Sequence, residues 1–558
     1  MELHPSVVER LKRLAPDQRA AATAPPGPLL CVAPSGSGKT TTLVARVAWL
    51  TASGAARPDE IAAITFNTRA ADELRERLAA ALEPLGVADA AHVAVRVRTF
   101  HALGLEILRD AGATVEPLLD RLAMLRQVAP DAGPAGWRSL DTAISRLKLD
   151  LGVTADEVAA DPDAGPTART FVAYERAVAA TGGLDFDDLV ARALQLLESS
   201  PAVLARWRAR CAHLLVDEAQ DLDRAQLRLA LLLAAPANRV FFVGDDDQSI
   251  YGWRLADVRR VLSLADALPG LRRFDLVVNY RCPATVVDRA VRLVEHNAER
   301  FAKTIRPGPA SAGRIVLARD SSDETVRIGR VVDSWPDDDG TRAVLARTNL
   351  ELLPAIAVCL ERRLAFRPPA AELLVGSALV DEAIDEAESL TDDGLPVLAR
   401  LEAVRARMAG ERQPAADDDP DAPRPADIAA AVLGWAARFD TIPRLRAAIA
   451  DRRAVLAELC RDDAPLTLAT AHGTKGLEFD HVAVIGMDAG RFPSRRSVAE
   501  SAEPARALEE ERRLAYVAWT RARRSLTLVY DPLAPSAFLL EAFSEEELGV
   551  DASAAGAA

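Results

Sequence analysis

A glycine-rich run that ends in lysine and threonine is the first feature of the sequence that could do chemistry. The run Ala-Pro-Ser-Gly-Ser-Gly-Lys-Thr occupies residues 33–40, between an apolar stretch and a helical pattern. Glycines let backbone amides point at phosphate oxygens, and the N-terminus of the following helix adds partial positive charge. Lys39 would reach the outer phosphates of a nucleotide, and the Thr40 hydroxyl would ligate Mg²⁺. The run predicts a nucleotide-phosphate site, although Ala33 replaces the first glycine of the motif and Pro34 follows it.

A pair of carboxylates, Asp217 and Glu218, follows the apolar stretch Leu214–Val216. In a nucleotide hydrolase, an aspartate at the end of a buried strand ligates Mg²⁺, and a neighbouring glutamate lies near the attacking water. The pair alone is weak evidence, but it agrees with the glycine-rich run. The Gly-Thr-Lys-Gly sequence at residues 473–476 lacks the Gly-Lys-Ser/Thr order, so it does not predict a second phosphate loop.

The elements that must position these residues form a repeating pattern of short apolar runs followed by helical patterns, which is typical of parallel α/β units. The runs fall into two groups, before and after about Tyr280, and a long, helix-like stretch interrupts each group. We therefore expect an α/β fold with two domains and a mainly helical insertion in each. The predicted strands are Leu29–Ala33, Ile61–Phe66, Val93–Arg98, Leu214–Val216, Val240–Val243, Leu276–Val278, Ala343–Ala346, Leu466–Ala469, His481–Ile485 and Leu526–Tyr530. The predicted boundaries are 1–111 plus 206–280 for the first domain, 112–205 for its insertion, 281–367 plus 464–545 for the second domain, 368–463 for its insertion, and 546–558 for a disordered tail.

The composition fits a globular chain of 558 residues, long enough for two to four domains, with 49% hydrophobic and 27% charged residues. A net charge of −14 argues against a generally basic nucleic-acid binder, so any nucleic acid must contact a local groove. The five cysteines lie far apart, which predicts separate reduced thiols and no structural metal. The start of the chain lacks a signal pattern and no apolar run is long enough to span a bilayer, so we expect a cytoplasmic protein without membrane contact. The Pro- and Asp-rich stretch 411–421 predicts a solvated linker.

The ordered set of short blocks resembles the UvrD/Rep/PcrA group of superfamily 1 DNA helicases. That resemblance implies two RecA-like P-loop NTPase domains, ATP and Mg²⁺ as cofactors, and a DNA helicase that moves 3′-to-5′, with DNA repair or recombination as its setting. The implied partners are single-stranded DNA, single-strand/duplex junctions and repair proteins. The blocks that carry the resemblance are Pro16–Gln18, Ile64–Ala71, Arg98–Leu103, Ala219–Asp221, Val243–Arg254, Asn279–Pro283, Leu345–Asn349, Ala471–Phe479 and Leu514–Ala522.

By this resemblance, Gln18 recognises the adenine edge, Tyr280 stacks on the base and Glu478 holds the ribose. Arginines serve at the γ-phosphate because charge spreads over its oxygens in the transition state. The implied catalytic residues are Lys39, Asp217, Glu218, Gln248, Arg281 and Arg521, with Thr40 and Asp217 on the metal. The implied nucleotide-binding residues are Gln18, Ala33, Pro34, Ser35, Gly36, Ser37, Gly38, Lys39, Thr40, Thr41, Tyr280 and Glu478. In this reading Ala33 matches the form of the loop found in these helicases.

The resemblance also implies a DNA groove rich in aromatic residues, because every base has a stackable face and a motor must step without reading sequence. Core packing of Trp253 and burial of His101 remain alternatives, and Arg523 and Arg524 fit the solvated face of an element. The implied DNA-binding residues are Thr65, Phe66, Asn67, Thr99, Phe100, His101, Tyr251, Trp253, Arg254 and His472.

Three departures from the family pattern bear on function. Asp246 stands where a proline is common, and Leu255 stands where a glycine is usual. The second insertion is roughly half the usual size, and in the family this insertion touches duplex DNA. Two alternatives to unwinding therefore stay open: a translocase that remodels nucleoprotein without separating strands, and a nucleotide-gated DNA-binding regulatory module.

Overall fold

The computed structural model describes residues 3–89, 92–93, 95–309, 312–369, 376, 378–390, 395–410 and 425–549. The chain divides into two compact units. Unit 1 consists of Met1–Tyr280 and Ala298–Arg306, and unit 2 of Arg281–Asn297 and Pro307–Ala558. The chain therefore leaves unit 1, returns to it for a short segment and leaves it again.

Unit 1 is built on a parallel sheet whose six strands follow the order β5-β2-β6-β7-β1-β8. The inner strands are buried on both faces, which explains their unbroken apolar sequences. A two-residue antiparallel pair, β3 and β4, lies outside this sheet. The strands of this part of the chain are β1 Leu29–Val32, β2 Ile61–Thr65, β3 Ala88–Asp89, β4 His92–Val93, β5 Arg96–Thr99, β6 His213–Val216, β7 Val240–Gly244, β8 Arg272–Asp275 and β9 Val278–Asn279.

Helices cover both faces of this sheet and also form the insertion between β5 and β6. The insertion has a small core of its own, in which Phe171 and Tyr174 pack against Leu125 and Ile144. Residues 146–151 form a short π-helical turn. The helices are α1 Pro5–Lys12, α2 Pro16–Ala22, α3 Lys39–Ala52, α4 Thr68–Leu82, α5 Phe100–Asp110, α6 Arg121–Val128, α7 Gly133–Ser145, α8 Ala155–Ala160, α9 Pro166–Thr181, α10 Asp188–Ser199, α11 Pro201–Arg210, α12 Arg224–Ala234, α13 Val258–Leu262 and α14 Leu264–Ala267.

Unit 2 repeats this plan with a second parallel sheet in the order β11-β16-β15-β12-β14-β13. Between β13 and β14 the chain forms helices that share one apolar core with the sheet. The remaining strands are β10 Arg306–Pro307, β11 Arg314–Arg319, β12 Arg342–Ala346, β13 Phe366–Arg367, β14 Leu466–Thr470, β15 Phe479–Val484 and β16 Ala522–Tyr530. The remaining helices are α15 Ala284–Val294, α16 Glu324–Ser334, α17 Leu353–Arg362, α18 Ala378–Ser389, α19 Val397–Gly410, α20 Pro425–Ala436, α21 Ile442–Leu459, α22 Arg495–Ala499, α23 Pro504–Trp519, α24 Ala537–Ala542 and α25 Glu545–Leu548.

The predicted fold class is confirmed: two α/β units with parallel sheets, each interrupted by a mainly helical insertion. The strand predicted at Leu276–Val278 is misplaced, because the sheet takes Arg272–Asp275 instead and only Val278 of the predicted run lies in a strand, β9. Strand β11, at the edge of the second sheet, was not predicted from the sequence either. Both are edge strands with exposed charged side chains at their ends; β8 has no apolar run, whereas the apolar run of β11, residues 315–318, lies between two arginines and was overlooked.

The exact domain boundaries stay a prediction. The segment predicted as a disordered tail, 546–558, begins within α25, and residues 550–558 lie outside the described part of the chain. The linker predicted at 411–421 lies outside it as well. Within the described ranges, no helix is both long and apolar enough to cross a bilayer. All five cysteines are described, and all are free thiols.

Candidate active site and nucleic-acid surface

The glycine-rich run of unit 1 forms a tight loop between β1 and α3. Its start is fixed by a hydrogen bond from the Ala33 N–H to the Gly244 carbonyl (2.8 Å). Gly36 and Gly38 have φ angles of 70° and 87°, and a Cβ on Gly38 would lie 2.5 Å from Gln18 Nε2. The buried Ser37 Oγ has no hydrogen-bond partner among the described residues. A cradle of left-handed glycines with an unsatisfied buried hydroxyl at a helix N-terminus fits a phosphate group.

Lys39, the first residue of α3, forms an ion pair with Glu218, in which Nζ lies 3.0 Å from both carboxylate oxygens. Burial acts to lower the pKa of Lys39, but the charges of Glu218, Asp217 and Asp245 outweigh it and raise the pKa above its ordinary value. The side chain is therefore an ammonium at neutral pH, as a phosphate ligand must be. Glu218, which is distant from the loop in the sequence, thus contacts its lysine, and the charge of Asp217 acts on the same ammonium.

The carboxyl end of β6 holds the two acidic residues beside the loop. Asp217 continues the sheet, since its N–H donates to the Ile64 carbonyl (2.9 Å), and Glu218 adopts a left-handed conformation with φ of 52°. Gln220 Nε2 donates to Glu218 Oε2 (2.6 Å), while Gln220 Oε1 accepts from the Asp245 N–H (3.0 Å). Gln220 therefore orients the proposed catalytic glutamate, a role that the sequence analysis did not assign.

Asp245 connects the phosphate loop with Gln248. Its Oδ2 accepts hydrogen bonds from the Ser35 N–H (3.1 Å) and from Gln248 Nε2 (2.7 Å). Both partners belong to the predicted nucleotide site, whereas Asp245 was not among the predicted residues. The structure thus places Lys39, Asp217, Glu218 and Gln248 around one loop of unit 1.

Gln18 and Tyr280 flank the same loop. Gln18 Nε2 donates to the Ser37 carbonyl (2.8 Å), and its Oε1 accepts from the Ala15 N–H (3.1 Å). The Tyr280 N–H donates to the Gly36 carbonyl (2.9 Å), while 51% of its side chain is exposed. An exposed ring fixed to the phosphate loop by its own backbone is suited to stack on a nucleotide base.

Unit 2 holds the other predicted nucleotide-site residues. Arg281 Nε donates to Glu478 Oε2 (2.8 Å), and Arg523 lies 3.4 Å from the same carboxylate. Arg521 is only 1% exposed, and its guanidinium donates to the Val517 and Leu477 carbonyls (2.9 and 3.0 Å). Arg281 and Glu478 therefore lie together, whereas Arg521 is held by backbone carbonyls of its own unit.

A row of aromatic rings crosses unit 1 from the end of β2 to the segment after Gln248. Phe66 and Tyr251 stack with ring centroids 5.0 Å apart, and Trp253 meets Tyr251 edge-on at 6.3 Å. The Arg254 guanidinium lies 4.6 Å from the Trp253 ring centre. Leu255 has a left-handed φ of 66°, which agrees with the glycine usual at this position in the family. The row offers π faces and a cation beside them, as single-stranded nucleic acid requires.

A second aromatic pair joins the insertion to α5. The rings of His101 and Phe186 stack at 3.9 Å, and Phe186 is 54% exposed. Burial lowers the pKa of His101 to about 4 although the charge of Asp187 opposes it, so the imidazole is neutral at physiological pH. Phe186 was missed, although its place among aspartates, Asp-Phe-Asp-Asp at residues 185–188, signals a ring that is not part of a regular buried face.

Several predicted DNA-binding side chains are buried or occupied locally. The Phe100 ring packs in the core of unit 1, and Thr65 and Thr99 are also buried. Thr99 caps α5 by accepting from the Ala102 N–H (3.2 Å), and Asn67 caps α4 in the same way. Thr65, Thr99 and Phe100 therefore shape the strand ends from the interior, whereas Asn67 caps α4 at an exposed position. His472 lies in unit 2, in the short 3₁₀ turn after β14.

Comparison with protein families gives two matches. Residues 14–269 match the UvrD/REP helicase N-terminal domain, and residues 454–532 match the UvrD-like helicase C-terminal domain. The first match spans the phosphate loop, the acidic pair and the aromatic row. The second spans Glu478 and Arg521.

Comparison with individual proteins finds relatives along most of the chain. ATP-dependent DNA helicase UvrD1 of Mycobacterium tuberculosis (strain ATCC 25618 / H37Rv) is 30% identical, over 92% of this chain and 82% of that protein. DNA helicase II of Escherichia coli (strain K12) is 28% identical over an alignment of 619 residues, which covers 93% of this chain and 84% of the relative. ATP-dependent DNA helicase PcrA of Leuconostoc citreum is 28% identical, over 90% and 80% respectively.

Proposed function

Because this chain belongs to the UvrD-like helicases, we propose that it is an ATP-dependent DNA helicase that moves 3′-to-5′ on single-stranded DNA and unwinds duplex ahead of it. One observation carries the proposal. The segment that begins with Asp245 and Gln248 at the phosphate loop continues directly into the aromatic row of Tyr251 and Trp253. A change in the contacts of the nucleotide is therefore transmitted along one short segment to the residues that stack on bases.

We propose that the phosphate loop, Gln18 and Tyr280 bind ATP, with Lys39 at its outer phosphates. Thr40 and Asp217 would hold Mg²⁺, which supplies charge neutralisation at the phosphate oxygens when bound. Glu218 then orients the attacking water and accepts its proton as the water oxygen bonds to the γ-phosphorus and the bond to the ADP oxygen breaks. Gln220 keeps the Glu218 carboxylate in place through its 2.6 Å hydrogen bond.

The family resemblance supports three further roles at the γ-phosphate and the ribose. Gln248 would contact the γ-phosphate, because its amide is already fixed beside the loop by Asp245. Arg281 and Arg521 would stabilise the charge that spreads over the γ-phosphoryl oxygens in the transition state. Glu478 would hold the ribose, and in unit 2 its carboxylate is positioned by Arg281.

For DNA, we propose that bases stack on Phe66, Tyr251 and Trp253, that Arg254 contacts the backbone, and that Phe186 extends the surface beside His101. Stacking does not depend on which base is present, so the same side chains can bind the strand at every step. His472 of unit 2 is proposed as a further contact. The proposal includes single-strand/duplex junctions and repair proteins as partners, repair or recombination as the setting, and a cytoplasmic location.

Unwinding of two partial duplexes tests this function. One duplex carries a single-stranded 3′ tail and the other a 5′ tail of the same length, and both are supplied with ATP and Mg²⁺. We expect strand displacement from the 3′-tailed duplex and background displacement from the 5′-tailed one. Equal displacement of both would contradict the polarity.

A translocase that remodels nucleoprotein without separating strands is the second candidate. It is favoured by the alignment with DNA helicase II, because the alignment spans 619 residues and is longer than this chain of 558, so the relative contains segments that this sequence lacks. This candidate predicts ATP hydrolysis that is strongly stimulated by single strands together with negligible displacement from either tailed duplex. The unwinding experiment therefore separates the two.

A further inference from the structure

The returning segment, Ala298–Arg306, is the part of unit 1 that the chain adds after forming α15 in unit 2. Two hydrogen bonds donated by its backbone N–H groups hold it in unit 1. The Phe301 N–H donates to Asp246 Oδ2 (2.8 Å), and the Arg306 N–H donates to the Val277 carbonyl (2.8 Å). The residues on either side of the segment belong to unit 2, so the returning segment is covalently continuous with unit 2 at both ends.

Lys303 is the most buried charge of the returning segment, with 1% of its side chain exposed. Its ammonium lies 2.8 Å from Asp245, 2.5 Å from Asp246 and 2.9 Å from Asp247. Arg300 pairs with Asp247 through two nitrogens, at 3.0 and 2.9 Å. Burial acts to lower the pKa of Lys303, but the three carboxylates raise it well above its ordinary value, so the ammonium is charged. The Asp246 side chain, at the position where the family commonly has proline, is thus a partner of the returning segment.

Asp245 transmits the position of Lys303 to the nucleotide site. One of its oxygens accepts from Lys303 Nζ, and the other accepts from the Ser35 N–H and from Gln248 Nε2. The two oxygens belong to one rigid, planar carboxylate, so a shift of the oxygen that Lys303 holds also moves the oxygen that holds Gln248 and the Ser35 amide. The three donors of the Lys303 ammonium face three carboxylates, which leaves it no donor for a nucleotide.

We propose that Lys303 is a positioning residue for ATP hydrolysis, which acts through Asp245 to hold Gln248 and the Ser35 amide in their working geometry. The inference rests on the proposed function, because it assigns Gln248 to the γ-phosphate. The returning segment carries Lys303 and is joined at both ends to stretches of unit 2, so the chain itself connects unit 2 with the group that positions Gln248. Displacement of the returning segment changes the orientation of Gln248 without any contact between Lys303 and ATP.

A double-mutant cycle with Lys303→Met and Gln248→Ala tests the proposal. Steady-state hydrolysis is measured without DNA and with saturating oligo(dT) for every variant, and nucleotide affinity is measured separately with fluorescent ADP. Because small misplacements at a reacting centre are costly, we expect Lys303→Met to lower kcat by about 10- to 100-fold while affinity for ADP changes by less than about threefold. If Lys303 acts through Gln248, Lys303→Met lowers kcat less in the Gln248→Ala background than in the parent, since residues that act as a unit are not additive, and any loss that remains is the share carried by the Ser35 amide.

Lys148→Met is the matched control. Lys148 is also a buried lysine among three carboxylates, Glu175, Asp185 and Asp188, at 2.7–2.9 Å, but these belong to the helical insertion and its border. We expect this variant to lose thermal stability as Lys303→Met does, while its DNA-independent kcat equals that of the parent. Equal loss of kcat in the two lysine variants would show a purely structural role and overturn the proposal.

A charge-balanced variant covers the case in which Lys303→Met does not fold. Asp246→Asn combined with Lys303→Met removes one charge of each sign, and Asp246→Asn alone is its reference. Additive losses with Gln248→Ala in this background would refute a role through Gln248. If the parent hydrolyses ATP but the losses of the variants are additive, only the role of Lys303 is refuted. If the parent does not hydrolyse ATP, the proposed function is refuted.

Discussion

Replacement of Trp253 by alanine should weaken DNA binding and leave the nucleotide site intact. The Trp253 ring meets Tyr251 edge-on at 6.3 Å and lies under the Arg254 guanidinium at 4.6 Å, so the substitution removes one π face and releases the arginine. Stacking of one base on an aromatic side chain contributes about 1–3 kcal/mol. Since 1.4 kcal/mol corresponds to a factor of ten, affinity for single-stranded DNA should fall by roughly 5- to 150-fold.

The assay is fluorescence anisotropy with labelled oligo(dT), together with the DNA concentration that gives half-maximal stimulation of ATP hydrolysis. Trp253→Phe keeps a ring and should lose less affinity than Trp253→Ala. Trp137→Ala is the matched control, because Trp137 also lies under an arginine, Arg126 at 5.5 Å, but in the first insertion. The reasoning is refuted if Trp253→Ala binds DNA within about twofold of the parent, or if Trp137→Ala loses as much.

Two further predictions follow from the same unit. Phe186→Ala should weaken single-stranded DNA binding by about 1–3 kcal/mol in the same anisotropy assay, and unchanged affinity would remove Phe186 from the proposed DNA surface. Burial, aided by the charges of Arg239 and Arg46, lowers the pKa of His213 to about 4, below its ordinary value near 6.5. The unfolded chain therefore binds the proton first as the pH falls, so His213 should cost stability between pH 6.5 and 4. The urea midpoint of His213→Asn should fall less than that of the parent from pH 7 to pH 5, and parallel losses would contradict this assignment.

The central strands could be predicted from the sequence because burial on both faces demands continuous apolar runs. β7, for example, reads Val-Phe-Phe-Val-Gly and is buried throughout. The edge strand β8 reads Arg-Arg-Phe-Asp and lacks that signal. β11 reads Arg-Ile-Val-Leu-Ala-Arg, so its apolar run is as long as β1 and was overlooked between its two arginines. A continuous apolar run therefore indicates a strand that is buried on both faces, whereas an edge strand such as β8 need not have one.

The residues of the candidate site also differ in how far the sequence predicts them. The loop that holds Lys39 and the pair Asp217 and Glu218 have local patterns with a chemical meaning, and the structure brings them together. Lys303 has no such pattern, and the aspartates around Phe186 indicate only an exposed ring, because the partners Asp245 and His101 are distant in the chain. Only the packed structure shows that a lysine beyond α15 holds the Gln248 segment, or that a phenylalanine of the insertion stacks on a histidine of α5.

Steady-state ATP hydrolysis with and without single-stranded DNA, measured on the parent and on Lys39→Ala, tests the central claim most directly. Lys39 carries the ammonium that the structure places at the phosphate loop. We predict that DNA stimulates hydrolysis by the parent, and that Lys39→Ala shows no turnover with or without DNA. Hydrolysis that ignores DNA, or that survives the loss of Lys39, would contradict an ATP-driven DNA motor built on this loop.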